Sequence, residues 1–290
     1  MTELVSIVLA GGCARRLYPI ATALKPKQFF PGREDGYLFQ ENVNLVSELS
    51  EETIIVSAVR YRNNILLPLS NEQRAHFYYI YEPCMRNTLA AIAVGVLTVI
   101  EKFGDPLILV SPCDLIYQDQ SEFKSSIKEA IKQHSNNVVT FISDLKTTQQ
   151  SDFSGPFICR ASKLAELCKS INESNFEQLI KSLKNAYIRQ NELNINYEDY
   201  SAIVDIELRR ELFQGKLSIN NLVLTGNIFD INNIDDFFNH YQLDGEVKLD
   251  SSLKNIDIKS FNQFSYDYCI TKENGENVLR HKAVKEVEIV

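Results

Sequence analysis

Leu4-Val5-Ser6-Ile7-Val8-Leu9 runs straight into Ala10-Gly11-Gly12-Cys13-Ala14-Arg15-Arg16-Leu17-Tyr18-Pro19, and Lys25-Pro26-Lys27-Gln28-Phe29 follows. The first six residues form a short apolar run rich in β-branched side chains, which predicts a buried strand. The strand ends at two glycines, where backbone can approach a ligand closely. From Leu4 to Arg33 there is no acidic residue, yet Arg15, Arg16, Lys25, Lys27 and Arg33 all fall there. Backbone N–H groups at a glycine turn, backed by fixed positive charge, suit a phosphate chain. The stretch lacks Gly-Lys-Ser/Thr, so it is not a Walker loop, and its glycine spacing is not that of the dinucleotide fingerprint.

Outward from this stretch, strands and helices alternate. Tyr37 to Leu49 has helical periodicity, Thr53–Ser57 reads as a strand, and Tyr61–Leu67 reads as a short helix stopped at Pro68. His76–Ile80 reads as a third strand, with His76 at its edge rather than as a metal ligand. Asn87 is a good N-cap for an almost wholly apolar helix, Thr88–Phe103, and Leu107–Val110 is a continuous apolar strand of a central parallel sheet. A helix over Glu122–His134, a strand over Val138–Ile142, helices over Ser162–Ser170 and Asn175–Ala186, and a strand over Asn221–Thr225 continue the pattern. The fold class this predicts is α/β, a doubly wound, Rossmann-like mixed sheet. Residues 1–241 read as one domain. Residues 242–290 alternate polar and apolar positions at Glu246–Leu249, Asn255–Ile258 and Val284–Val290, which predicts a small β-rich C-terminal appendage or a subunit contact in a homo-oligomer.

Composition narrows the class. The chain has 290 residues, 44% hydrophobic and 23% charged, as an ordinary globular protein does. A net charge of −8 argues against nucleic acid as partner, so an anionic substrate must be met by a local basic site. The six cysteines are scattered with no Cys-x-x-Cys pair, which predicts reduced thiols and a cytoplasmic setting. No basic segment precedes an apolar core at the N-terminus, so no signal peptide is expected. The longest apolar run, Leu89–Ile100, is too short to span a bilayer, and no membrane partner is expected.

Several stretches together carry a family resemblance. Gly11-Gly12, Arg16-Leu17-x-Pro19 and Pro26-Lys27-Gln28-Phe29 resemble the signature of the sugar-1-phosphate nucleotidyltransferases. The Pro-Lys-Gln-Phe form is most similar to the mannose-1-phosphate guanylyltransferases. Glu82-Pro83 with Arg86-Asn87-Thr88 resembles that group's Glu-Pro-x-x-Arg-Asn-Thr. Asp114, just past the apolar strand, matches the acid of its Pro-Ala-Asp-His, with Leu115 where the group has histidine. Gly155 falls in the Asn-Ser-Gly region, Asp205 aligns with the acid of Ser-Ile-Asp-Tyr-Ala, and Asp230 with that of Gly-Trp-Ser-Asp-Val-Gly. The group's third glycine is Ala14 here, and its Gly-Tyr-Gly-Tyr-Ile and Val-Glu-Lys-Pro elements have no counterpart.

The resemblance implies the nucleotidyltransferase fold and a transfer of GMP from GTP to a sugar 1-phosphate such as mannose 1-phosphate. It implies Arg16, Lys27 and Asp114 as catalytic residues. Leu9, Ala10, Gly11, Gly12, Cys13, Arg16, Lys27, Glu82, Arg86, Asn87 and Thr88 would line the nucleotide, with Gly155 and Asp205 on the acceptor side. It also implies Mg²⁺ on Asp114 and Asp230. A sugar 1-phosphate is already ionised at neutral pH, so catalysis is positioning and charge neutralisation rather than general base chemistry. Ala14, Leu115 and the absent sugar elements motivate a second class, a non-catalytic relative that binds nucleotide or nucleotide sugar and regulates a partner. A changed phosphorylated acceptor is a third.

Overall fold

β1 (Leu4–Leu9) takes the centre of the sheet because both of its faces are apolar. Val5 and Ile7 enter one hydrophobic core, Leu4 and Val8 another. The computed structural model describes residues 3–12, 15–33, 36–133, 138–144, 155–206, 218–224, 228–242, 246–249 and 268–281. Contacts divide the chain into two compact units, residues 1–12 with 26–230, and residues 13–25 with 231–290. The basic segment 13–25 goes with the second unit.

After β1 the first unit carries α1 (Leu38–Ser47), β2 (Glu52–Ala58), α2 (Arg62–Leu66), α3 (Asn71–His76), β3 (Tyr78–Glu82), α4 (Asn87–Phe103), β4 (Leu107–Pro112), β5 (Leu115–Tyr117) and α5 (Gln120–Gln133). Then come β6 (Val138–Asp144), β7 (Phe157–Arg160), α6 (Ala161–Ile171), α7 (Glu173–Lys184), β8 (Tyr187–Arg189), β9 (Glu192–Asn194), α8 (Tyr197–Ser201), β10 (Ser218–Leu224) and β11 (Ile228–Asp230). Nine strands form one sheet in the order β10-β6-β7-β4-β1-β2-β3-β9-β8. Parallel pairing joins β4, β1, β2, β3 and β9 in turn, and β10 to β6; β7 runs antiparallel between β4 and β6. Helices α4, α6 and α7 cover one face, α1 and α5 the other, which is the doubly wound, mixed α/β arrangement expected.

α4 lies closest to the sheet. Ten of its residues are buried, and Gly95 lets the helix backbone approach β1. A Cβ built at Gly95 would stand 3.0 Å from Ile7 Cγ2 and 3.1 Å from Ile7 Cδ1. Chain order reverses at β1: β2 and β3 extend to one side and β4 lies on the other. Open α/β sheets bind ligands at such a switch point, beyond the carboxyl ends of the strands. The glycine turn after β1 and Asp114 after β4 flank it.

Three expectations are corrected. His76 is the last residue of α3, not the edge of a strand; Ser70 caps that helix, with its Oγ accepting from Gln73 N–H at 3.2 Å. β3 therefore starts at Tyr78 and runs on to Glu82. Asn87 is the first residue of α4 rather than its cap, with φ of 61° and its Oδ1 accepting from Thr88 N–H at 2.8 Å. In the sheet, the apolar run of β4 has one parallel and one antiparallel neighbour, so it is not flanked by parallel strands alone.

The second unit holds α9 (Ile234–His240), β12 (Glu246–Lys248), β13 (Tyr268–Glu273) and β14 (Glu276–His281). The three strands form an antiparallel sheet in the order β12-β14-β13. Asn274 and Gly275, at φ of 50° and 85°, turn β13 into β14, as Asn-Gly does in two-residue hairpins. Phe238 stacks on Tyr268 at 5.7 Å, and the Tyr268 hydroxyl donates to Asp235. The expected strands at Asn255–Ile258 and Val284–Val290 lie outside the described residues. Among the described residues, no helix is long and apolar enough to cross a membrane.

Candidate active site

The glycine turn is held from beneath by Gln28. Pro26 starts a single 3₁₀ turn, Lys27–Phe29, whose three residues are all buried. Gln28 Nε2 donates to the carbonyls of Ala10 (3.1 Å) and Gly12 (3.0 Å). Ser57 Oγ also donates to the Ala10 carbonyl, at 2.8 Å. The carbonyls of the turn are thereby tied back into the protein.

The same 3₁₀ turn delivers Lys27. Its side chain is only 4% exposed and ends between two carboxylates: Nζ donates to Asp230 Oδ1 and stands 3.4 Å from Asp114 Oδ2. Asp114 arrives from the end of β4. Asp230 ends β11, which pairs antiparallel with β5, so that Asp230 sits opposite Leu115. Leu115 points into the core and is 1% exposed. Burial pulls the Lys27 ammonium down, but attraction to Asp114 and Asp230 outweighs it and holds the group above its ordinary value. Lys27 is thus a fixed cation at neutral pH.

Two carboxylates already sharing one cation form a hard-oxygen donor set. Mg²⁺ is commonly bound by one or two carboxylates plus substrate phosphates, so Asp114 and Asp230 fit that ion. Among the described residues no group of three or more His, Cys, Asp or Glu forms a complete metal cage.

Glu82 lies on the other side of the turn. It ends β3, is 3% exposed, and its Oε1 accepts from the Tyr200 hydroxyl. A Cβ on Gly11 would stand 3.2 Å from Glu82 Oε2, so the turn rides directly over this carboxyl. Burial pushes Glu82 up to about 7, against the opposing pull of the Tyr200 bond. Arg86 follows. It donates to the Ser201 carbonyl and stands 4.0 Å from Asp205 Oδ1.

The structure therefore gathers Gly11, Gly12, Lys27, Glu82, Asp114 and Asp230 within the first unit. Leu9 is half-buried at the end of β1, and Ala10 is buried. Asn87 is exposed and Thr88 half-buried at the start of α4. The register Val110↔Phe157 sets Gly155, half-buried, level with Pro112 at the carboxyl end of β4. Arg16 belongs to the second unit, exposed in the 3₁₀ turn Arg15–Leu17. Cys13 lies outside the described residues. Sequence reasoning missed Tyr200 altogether. Nothing in its own segment marks a residue that bonds to a partner 118 positions away.

A switch-point crevice with a glycine turn, a buried lysine and two acids defines a class of phosphate-handling α/β protein. Residues 5–153 match the family described as nucleotidyl transferase. That is just over half of the 290 residues, and the chain belongs to that family. Among curated proteins it is 31% identical over 142 residues to mannose-1-phosphate guanylyltransferase 2 of Escherichia coli O157:H7, covering 48% of this chain and 30% of that protein. It is 30% identical over 139 residues to mannose-1-phosphate guanylyltransferase RfbM of Salmonella typhimurium, covering 47% and 29%. The chain thus spans less than a third of the length of these relatives. A solved structure titled mannose-1-phosphate geranyltransferase, from Thermus thermophilus, superposes with a TM-score of 0.67 at 16% identity, over 84% of this chain and 80% of that one. One titled mannose-6-phosphate isomerase, from Helicobacter pylori, superposes with a TM-score of 0.66 at 18% identity, over 79% and 100%. At such identities the likeness is one of fold.

Proposed function

We propose that this chain is a nucleotidyltransferase that moves GMP from GTP to a sugar 1-phosphate such as mannose 1-phosphate, releasing pyrophosphate. The observation that carries this reading is the Lys27 ammonium, buried between Asp114 and Asp230. The guanylyltransferases among the relatives support the choice of guanine and of mannose 1-phosphate.

In this reading the Gly11-Gly12 backbone lies against the triphosphate. Lys27 neutralises charge developing at the α-phosphate. Glu82 faces the base, whose N–H groups a carboxylate accepts. Arg86, Asn87 and Thr88 help place the nucleoside, with Leu9 and Ala10 along the turn. Gly155 and Asp205 flank the acceptor. Mg²⁺, held by Asp114 and Asp230, would supply charge neutralisation across the phosphates. The acceptor phosphate is its own nucleophile, so no side chain has to remove a proton. The described cysteines Cys84, Cys113, Cys159 and Cys168 are unbridged, which accords with a reducing, cytoplasmic setting.

The test is pyrophosphate release from each of the four NTPs with Mg²⁺ and a panel of sugar 1-phosphates. Release with GTP and mannose 1-phosphate supports the reading in full. Release with a different pair keeps the chemistry and replaces the substrate. Nucleotide binding, read by thermal shift, without release from any pair overturns the catalytic reading in favour of a binding relative.

A further inference from the structure

Glu82 has two oxygens in unlike surroundings. Oε1 accepts from the phenol of Tyr200, whose ring is fully buried in the core beneath α4. Oε2 faces Gly11, where even a methyl group would crowd it. Among the described residues no group donates to Oε2. Oε2 is thus left free to accept, and a ligand N–H can supply the hydrogen bond it lacks. The phenol is placed to do one thing: occupy one oxygen and so turn the other toward the crevice.

We propose that Tyr200 is a positioning residue for the nucleotide: by donating to Oε1 it fixes the Glu82 carboxyl with Oε2 turned to Gly11 as an acceptor for the paired N–H donors of a guanine edge. This rests on the reading that nucleotide binds at the glycine turn. Guanine offers two adjacent donors to a carboxylate, the ring N1–H and the 2-amino group. Adenine offers a donor beside an acceptor and is not matched by an ionised carboxyl. Base choice therefore depends on the charge of Glu82. Burial favours the neutral acid and Tyr200 favours the carboxylate. Among the described residues, the charged or titratable groups acting on Tyr200 besides Glu82 are Cys84 and Arg86, from the loop after β3; Asp205, after α8, acts on Cys84. Gly11, after β1, and Ala58, which ends β2 and pairs with Glu82, bring no charged side chain there, and α4 begins with Asn87 and Thr88.

The experiment is calorimetric titration of the full chain with GTP across about pH 5.5 to 9, for wild type, Tyr200→Phe, Glu82→Gln and the double variant. Tyr200→Phe keeps the ring and removes only the O–H. Wild-type affinity should rise through a transition near the Glu82 midpoint of about 7 and then level off. In Tyr200→Phe the transition should move up by about one pH unit, which weakens GTP binding about fivefold at pH 7 and about tenfold well below it, and leaves it near wild type at the alkaline end. Glu82→Gln should keep only the pH dependence that GTP's own γ-phosphate and guanine N1–H impose, with or without Tyr200.

A Tyr200→Phe protein with an unmoved transition overturns the proposal, and so does one weakened by the same factor at every pH, which is the mark of a merely structural role. If the phenylalanine variant does not fold, 3-fluorotyrosine incorporated at position 200 serves instead. Its more acidic phenol should move the transition down, and an unmoved transition again overturns the proposal. A wild-type protein that binds no nucleotide overturns the functional reading and this proposal together. The two failures are distinct, because the first shows in the wild type and the second only in the variants.

Discussion

Lys27 Nζ donates to Asp230 Oδ1 although 203 residues separate them, and the lysine is buried while doing so. Such a pair is costly to desolvate unless its geometry is good and other partners complete it. Asp114 is that third partner. The position held by the ammonium is also where charge neutralisation would be needed between two acids and a phosphate chain.

Lys27→Met removes the cation and leaves Asp114 and Asp230 facing each other. Asp114 is 36% exposed, so the loss of stability should be about 2 kcal/mol, below the full cost of breaking a buried pair. Adding Mg²⁺ should restore much of it, because the ion then fills the lysine's place. Thermal melts of the variant with and without Mg²⁺ check both statements. A variant whose melting temperature ignores Mg²⁺ would count against the carboxylate pair as a cation site.

Glu82 should make the fold less stable as pH rises. Its carboxyl moves from 4.5 to about 7 on folding, so between those values the native state holds a proton that the unfolded chain has lost. The stability gained is present below the unfolded value and declines as pH climbs through the folded one, by about 3 kcal/mol in total. Denaturant unfolding at a series of pH values should show this slope in the wild type. Glu82→Gln should flatten it.

Gly95→Val should unfold more readily. The new side chain would push into Ile7, whose methyl groups already lie 3.0–3.1 Å from where a Cβ would stand. Overpacking of this kind costs about 1–3 kcal/mol, and the better helix propensity returns only a fraction of it. A chemical denaturation midpoint unchanged from wild type would mean that α4 can shift away from β1.

Gln28→Ala should loosen the glycine turn itself. Two carbonyls, those of Ala10 and Gly12, lose their donor. Ala10 keeps the Ser57 bond, so the expected destabilisation is about 1–2 kcal/mol. Nucleotide affinity should fall by more than this modest loss suggests, because the turn's shape is what presents its N–H groups. Affinity equal to wild type would show that the turn holds its form without Gln28.

Much of this could be read from residue order alone. The apolar run at Leu4–Leu9, the glycines after it and the Pro26-Lys27-Gln28 step are local signals, and they marked a buried strand and a basic loop; the strand's central place and the burial of Lys27 come from the fold. Asp114 was legible from its position just past an apolar strand. Two short elements escaped although their signals are present: Ser70 and Gln73 form a capping box for α3, and Asn274-Gly275 is a hairpin turn. Strand direction is a different matter. β7 is antiparallel to both neighbours, and nothing in Phe157-Ile158-Cys159-Arg160 distinguishes that from a parallel strand. Tyr200 lies at the same limit, since its role comes from the fold bringing α8 to the end of β3 and not from its own neighbours in sequence.

The most direct test compares pyrophosphate release by wild type and Asp114→Asn, with GTP, mannose 1-phosphate and Mg²⁺, in preparations matched for melting temperature. Asparagine keeps the size of the side chain and removes the charge that faces Lys27. The account predicts Mg²⁺-dependent release by the wild type and a loss of about a hundredfold or more in the variant, the scale on which preorganised charge acts in catalysis. Equal turnover in the two proteins would contradict it, and would take the reaction away from the Lys27–Asp114–Asp230 centre.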